Sequence, residues 1–357
     1  MTNSNELNYN WTLKDANFTK DKGTVFSCFS CGGGSTMGYK LAGFDVIGCN
    51  EIDKRMMQVY EKNHKPKFSF LESIRTFKER TDLPLELYNL DILDGSPPCS
   101  TFSMVGNREA DWGKEKKFAE GQSLQVLDTL FFEFIDLAAK LQPKVVIAEN
   151  VKGLLMGSAK SYVREIYKQF DLAGYYCQHF LLNAKKMGVP QQRERVFFIA
   201  LRKDLATHFL VQKDMFTIVP KLDLKFNEKE IPFCEIEEYG AMAGASKTYP
   251  SILEMWHRTN IGCEMKRVSG HKAFGCRKLD PKKVLFTIVA HEDNGSYHYS
   301  LPRSLTISEN CKAGSFPLDY DFCGLNSKYI IGMSVPPLMT ARIALEIYKQ
   351  WLLFVDL

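Results

Sequence analysis

Gly95-Ser96-Pro97-Pro98-Cys99 closes a short, mostly apolar run, Leu90 to Leu93, in a proline turn that presents a cysteine. Proline fixes φ and supplies no backbone donor, so two in succession do not continue a central strand and suit a rigid loop that turns the chain in a new direction. A thiol held there is a candidate nucleophile; it reads equally well as a small buried apolar residue, the commoner fate of a free cysteine. Ile147-Ala148-Glu149-Asn150-Val151 is another apolar run that ends in a carboxylate, either a turn cap or a proton donor. If both runs lie in one parallel sheet, Cys99 and Glu149 share a rim and can act as nucleophile and acid. Gln191-Gln192-Arg193-Glu194-Arg195 adds two arginines at i and i+2, on one face if extended; an exposed charged edge strand has the same pattern.

A second constellation precedes these. The segment Phe26 to Gly38 carries Gly32, Gly33 and Gly34 between a strand pattern and a helix pattern. Glycine lets backbone approach a ligand closely, and a helix start offers unpaired N–H groups. The next strand pattern ends in Asn50-Glu51, about 20 residues on, where doubly wound nucleotide binders place a carboxylate on ribose hydroxyls. Together the two features favour an adenosine-containing cofactor over a packing turn.

The elements that must position these residues repeat between 24 and 200. Apolar runs at Val25–Phe29, Phe44–Cys49, Leu90–Leu93, Val145–Ala148 and Val196–Leu201 alternate with helical stretches such as Arg55–Asn63, Leu124–Leu141 and Ser161–Leu172. That alternation predicts an α/β fold with a doubly wound, mostly parallel sheet, whose ligands bind off the carboxyl ends of the strands. After about residue 202 the pattern becomes irregular and turn-rich, as expected of a second, smaller domain. From Pro336 to Phe354, apolar residues return at 3 to 4 residue spacing, as in an amphipathic helix.

With 357 residues, 45% of them hydrophobic, the chain has the means for a sizeable core and about two domains. A net charge of +4 permits a polyanionic partner without requiring one. The polar start and the lack of about 18 uninterrupted apolar residues argue against secretion and membrane insertion. Ten scattered cysteines fit a reducing cytoplasm, and Cys28-Phe29-Ser30-Cys31, without further ligands nearby, predicts no metal site.

In these motifs, taken in order, the chain resembles the DNA (cytosine-5)-methyltransferase family. The glycine loop with Ala42-Gly43-Phe44, Asn50-Glu51-Ile52-Asp53, Pro97-Pro98-Cys99, Glu149-Asn150-Val151 and Val189 to Arg195 match five of its motifs. Arg303 to Pro317 and Gly332-Met333-Ser334-Val335-Pro336 resemble its last two. The resemblance implies a Rossmann-like domain that binds S-adenosyl-L-methionine and methylates C5 of a flipped cytosine. It makes Cys99 the thiolate that adds to C6 and Glu149 the group that protonates or hydrogen-bonds N3. Arg193 and Arg195 would fix the base's O2 and brace the glutamate.

For the cofactor, the resemblance places Phe29 and Ile52 on the two faces of the adenine, Glu51 on the ribose, and the Gly32, Gly33 and Gly34 backbone by the methionine part. Ser73, Ile74, Pro98, Leu130, Ser334 and Val335 match further contact positions. Cys31 stands where glycine is usual, Ser73 where aspartate is, Ser100 where glutamine is, and Met333 where asparagine is. The implied division is a polar extension 1–23, a catalytic domain 24–202, a target-recognition domain 203–300 and a return segment 301–357. Segment 102–122, with Arg108, Trp112, Lys114, Lys116 and Lys117, matches the mobile catalytic loop; Lys266, Arg267, Lys272, Arg277 and Lys278 are expected DNA contacts. The expected partner is double-stranded DNA met by a monomer, with a cognate restriction endonuclease as a further partner. An RNA cytosine methyltransferase and a catalytically silent DNA-binding homologue share the motifs. An amino-methyltransferase would place an aromatic residue where Cys99 stands, and an oxidoreductase leaves Cys99 and the arginines unexplained.

Overall fold

A computed structural model describes residues 7–98, 115–116, 125–126, 129–156, 159–214, 217–238, 250–265, 275–290 and 295–355. Cys99, Ser100, Lys266, Arg267, Lys272 and most of segment 102–122 lie outside the described residues. Contacts group the chain into two compact units. One comprises Phe18–Leu182, Glu194–Lys225 and Ala341–Leu357; the other comprises Met1–Asn17, Asn183–Arg193 and Phe226–Thr340.

The first unit begins β1 (Thr24–Cys28), α1 (Gly34–Leu41), β2 (Asp45–Glu51), α2 (Lys54–His64), β3 (Phe68–Leu71), α3 (Ile74–Glu79) and β4 (Ile92–Gly95). After a two-residue pair, β5 (Glu115–Lys116) with β6 (Gln125–Val126), come α4 (Leu130–Leu141), β7 (Val145–Val151), α5 (Lys160–Leu172) and β8 (Tyr175–Asn183). β9 (Gln191–Gln192) belongs to the second unit, and β10 (Glu194–Arg202) returns to the first. Seven strands form one sheet in the order β3-β2-β1-β4-β7-β10-β8. β3, β2, β1, β4 and β7 pair in parallel, whereas β10 runs antiparallel to β7. The order reverses between β1 and β4, the crevice where ligands bind in such sheets.

Each strand expected within this sheet is present, and its ends are shifted by up to three residues. β3 and β8 were not anticipated; β3 is four residues long with an alternating half-buried pattern, too short for a strong period-2 signal. The helix expected over Leu124–Leu141 starts at Leu130, where its buried residues begin: Leu130, Phe131, Phe134, Ile135, Leu137, Ala138 and Leu141. α2 is capped by Asp53, which accepts from the Arg55 N–H at 2.8 Å, and stops at left-handed Lys65.

Alternation along the strands divides the core. Phe26, Leu93, Val146, Ala148 and Phe198 pack with Phe77 of α3, Phe134 of α4 and Ile166 of α5. Their neighbours Val25, Ser27, Ile92, Asp94 and Ile147 therefore point to the opposite face. On that side the rings of Tyr39 and Phe44 meet edge to face, as do those of Phe44 and Tyr348. Tyr348 opens a π turn, Tyr348–Leu352, that continues the C-terminal helix Pro337–Ile347. Trp351 Nε1 donates to the Lys221 carbonyl at 2.8 Å, so the end of the chain belongs to the sheet's unit. The stretch Ser327–Leu352 is apolar and long enough to cross a membrane by composition, and most of it is buried.

Regular structure is sparse in the second unit, where strands such as Arg277–Lys278 and Ser296–Tyr297 pair over two residues. A small core of Met255, Trp256, Met265, Cys276 and Tyr297 is joined by a buried polar node. Arg303 donates to both oxygens of Glu309 at 2.7 and 2.9 Å, and Thr306 with Glu309 forms a capping box on the helix Ile307–Gly314. His298 Nε2 lies 3.0 Å from Glu237 Oε2 in the same node.

Candidate active site

The glycine loop leaves β1 through a run of left-handed residues: Phe29 at φ 52°, Cys31 at φ 47° and Gly33 at φ 77°. At Gly33 an added Cβ would run into the His64 ring and lie 3.2 Å from the Tyr60 ring, so only glycine fits. Cys31 carries an L side chain in this left-handed conformation, which costs it about 1 kcal/mol relative to glycine. The N–H of Cys31 donates to Glu51 Oε2 at 2.7 Å, and Glu51 Oε1 accepts from Ile52 and Asp53 at 2.8 and 2.9 Å. Burial pushes the Glu51 carboxyl up, and these N–H groups pull it back. One carboxylate thus ties the glycine loop to the turn after β2. It has about four acceptor sites, so capacity remains for a hydroxyl.

Around this loop, Phe29 packs partly on the core with its ring 6.3 Å from that of Phe134. Ile74 and Leu130 are buried at the starts of α3 and α4, and Ser73 caps α3 by accepting from the Arg75 N–H. Pro98 and Ile52 are half-buried. Gly95 lies against Phe134, whose ring would sit 2.6 Å from a Cβ placed there. A cradle without side chains, a carboxylate at the end of β2 and apolar walls fit an adenosine-bearing cofactor.

Across the switch point, Glu149 and Arg195 form an ion pair, Nε to Oε1 at 2.8 Å, with side chains only 12% and 15% exposed. Arg195 reaches this rim because β10 is antiparallel: Arg195 pairs with Val151 at the carboxyl end of β7, and Phe197 with Glu149. Burial lowers the Arg195 pKa while the Glu149 charge opposes that shift. Asn150 donates from Nδ2 to the Pro97 carbonyl at 3.1 Å, tying β7 to the turn that carries Cys99.

Arg193 is placed apart in the chain's organisation. It lies in the second unit, between β9 and β10, with its guanidinium on the carbonyls of Ile288 (3.2 Å) and Gly332 (2.9 Å). At 2% exposure its donors require protein acceptors, and it joins two segments of its own unit. On either side of it the extended chain takes different partners: β9 pairs with Leu285–Phe286 and β10 with β7. Ser334 and Val335 are buried in the second unit, where Ser334 closes the helix Ser327–Met333 by donating to the Ile330 carbonyl at 2.8 Å.

Sequence reasoning passed over Asp94. It is 3% exposed at the end of β4 and accepts from Ser27 Oγ (2.9 Å), Ser35 Oγ (2.8 Å) and Tyr39 OH (3.0 Å). The available signal was a carboxylate closing an apolar run one residue before Gly95.

The sheet order, with a glycine loop and a carboxylate at its switch point, defines a doubly wound, Rossmann-like α/β domain. The sequence profile of the C-5 cytosine-specific DNA methylase family matches residues 23–349, and the chain belongs to that family. It is similar to Type II methyltransferase M.FnuDI of Fusobacterium nucleatum, 39% identical over 181 residues, or 51% of this chain and 47% of that protein. The match therefore spans about half the length of that relative. Type II methyltransferase M.NgoFVII of Neisseria gonorrhoeae is 26% identical over 94% of this chain and 89% of its own length. Among solved structures, a Spodoptera frugiperda DNMT2 mutant superposes with a TM-score of 0.61 at 18% identity, covering 89% of this chain and 97% of that one. At that identity the likeness speaks for the fold alone.

Proposed function

We propose that this chain transfers a methyl group from S-adenosyl-L-methionine to C5 of a flipped cytosine in double-stranded DNA, through a covalent bond from Cys99 to C6. Family membership supports the reaction class, and the named Type II relatives support DNA as substrate. The observation that carries the reading is the Glu149–Arg195 pair at the rim, joined by Asn150 to the proline turn that leads into Cys99.

Cytosine C5 is a weak nucleophile. As its thiolate, Cys99 adds to C6, and the ring's electron pair moves towards C5. Glu149 lowers the barrier by donating a proton or hydrogen bond to N3, so that negative charge does not accumulate on the ring. Arg195 holds Oε1 and so fixes the orientation of the carboxyl group, leaving Oε2 for the base. Phe29, Ile52, Ile74, Leu130 and Pro98 would enclose the adenine, Glu51 would accept from the ribose hydroxyls, and the Gly32–Gly34 backbone would receive the methionine part. Ser73 is a further proposed contact, and Ser334 and Val335 are proposed by the resemblance of their segment alone. When bound, S-adenosyl-L-methionine supplies a sulfonium methyl electrophilic enough for the activated C5. Loss of the C5 proton and expulsion of Cys99 then restore the aromatic ring. Arg193 holds its own unit together and is not assigned to the base. A monomeric cytoplasmic enzyme fits this scheme, and a cognate restriction endonuclease would recognise the same DNA sequence.

Bisulfite sequencing of DNA from cells expressing the chain tests the reading. The expected result is 5-methylcytosine in one sequence context, abolished by Cys99→Ser. Methylation confined to RNA would overturn the substrate, and methylation that persists in Cys99→Ser would overturn the covalent route.

A further inference from the structure

The proposed chemistry of methyl transfer makes no use of Asp94, which lies near the switch point at the end of β4. Burying a carboxylate costs free energy that only well-placed hydrogen bonds offset, and Asp94 has three, all from hydroxyl groups. Ser27 comes from β1, whereas Ser35 and Tyr39 are four residues apart and share one face of α1. Ser35 stands directly after Gly32-Gly33-Gly34, and Asp94 lies five residues before Cys99. A single side chain therefore connects the end of the glycine loop to the strand that runs into the proline–cysteine turn.

We propose that Asp94 is a positioning residue: its ionised carboxylate holds the start of α1, and with it the glycine loop, against β4, and thereby sets the affinity for S-adenosyl-L-methionine. This rests on the proposed methyltransferase function.

The titratable and charged groups around Asp94 are the Tyr39 hydroxyl from α1, the Cys28 thiol from β1, and Glu149 from β7 with its partner Arg195 from β10. Burial pushes Asp94 up to about 6, the Ser35, Ser27 and Tyr39 hydroxyls restrain the rise, and the Glu149 charge adds to it. Burial, with the Asp94 charge nearby, also keeps the Cys28 and Tyr39 protons in place. Protonating Asp94 replaces charge-assisted bonds by neutral ones, about half as strong, and uses one oxygen as a donor.

The experiment measures S-adenosylhomocysteine binding to the full chain by calorimetry between pH 5 and 8, with thermal melts alongside. Wild-type affinity is expected to fall about tenfold more than that of Asp94→Asn between pH 7 and 5, the range over which a group titrating near 6 changes charge. At pH 8 the variant should bind several-fold more weakly, yet melt no lower than wild type, because it no longer buries a charge. Glu51 titrates in both proteins, so the difference between them isolates Asp94. Tyr39→Phe, which removes one donor, should move the wild-type step to higher pH. Identical pH profiles in wild type and both variants would overturn the proposal while leaving the functional reading intact. Wild-type protein that fails to bind S-adenosylhomocysteine at every pH would overturn that reading, and this proposal with it.

Discussion

Glu149 and Arg195 are joined as an ion pair, and the proposed chemistry depends on how little water reaches them. A carboxylate and a guanidinium only 12% and 15% exposed, at 2.8 Å, keep their geometry without solvent competing for either. Glu149→Gln retains the shape and a hydrogen-bonding amide but removes the acid. Its single-turnover methyl transfer is expected to slow by about 10²-fold or more, with DNA binding little changed. An unchanged single-turnover rate would take Glu149 out of the acid role. Cys31 makes a different point at the same scale: its left-handed backbone is tolerated because the N–H gains Glu51 as an acceptor.

Among the elements, α3 and α4 form the wall beneath Ile74 and Leu130. Arg75 bonds Glu133 at 3.3 Å and Thr129 at 2.7 Å, while Lys78 bonds Glu133 at 2.7 Å and Asp136 at 2.8 Å. These side chains are partly solvated, so each pair contributes about 0–1 kcal/mol, and the network serves mainly to set the spacing of the two helices. Glu133→Gln is expected to weaken S-adenosylhomocysteine binding by a few-fold at low salt and to cost less than about 1 kcal/mol of stability. Raising the salt should narrow the gap to wild type, because screening weakens what the substitution removes. A gap independent of salt in titration calorimetry would show that the ion pairs do not set the wall.

For the whole molecule, pH dependence is a contest between buried groups of opposite sign. Burial holds His64 well below its usual 6.5, and His298 is lowered too, chiefly by burial and then by Arg303. Folding disfavours the charged form of both, and each takes up a proton more readily when unfolded, so their stabilisation is present above 6.5 and lost as pH falls. Asp94 works in the other direction. Raised from 3.8 to about 6, it favours the fold below 3.8, and that gain, about 3 kcal/mol, is lost as pH rises through 6. Glu51, also raised by burial, acts in the same direction as Asp94; Asp94→Asn, which removes one of these contributions, is expected to lose more melting temperature than wild type between about pH 7 and 5. The ring resonances of His64 should not move between about pH 8 and 5.5; a His64 shift centred near 6.5 would contradict its burial as a neutral ring.

Much of the site was legible along the chain because its residues lie where a local pattern ends. Glu51 closes β2, Glu149 lies near the end of β7, and the glycines fill the turn between β1 and α1. Apolar alternation and helical period depend on neighbours a few residues apart, which is why α2 and α5 begin and end within a residue of expectation. Partners far along the chain were not legible. The direction of β10, which brings Arg195 to Glu149, is set by pairing with a strand more than forty residues earlier. Arg193 takes the carbonyls of Ile288 and Gly332, 95 and 139 residues away. The sequence by itself determined that two carboxylates, a glycine loop and the Gly95–Pro98 turn stand at the ends of strands in one sheet. Only the tertiary structure decided that Asp94 faces α1, that Arg195 holds Glu149 and that Arg193 takes the carbonyls of Ile288 and Gly332, because burial makes each charged group take whatever partner the distant chain brings within reach.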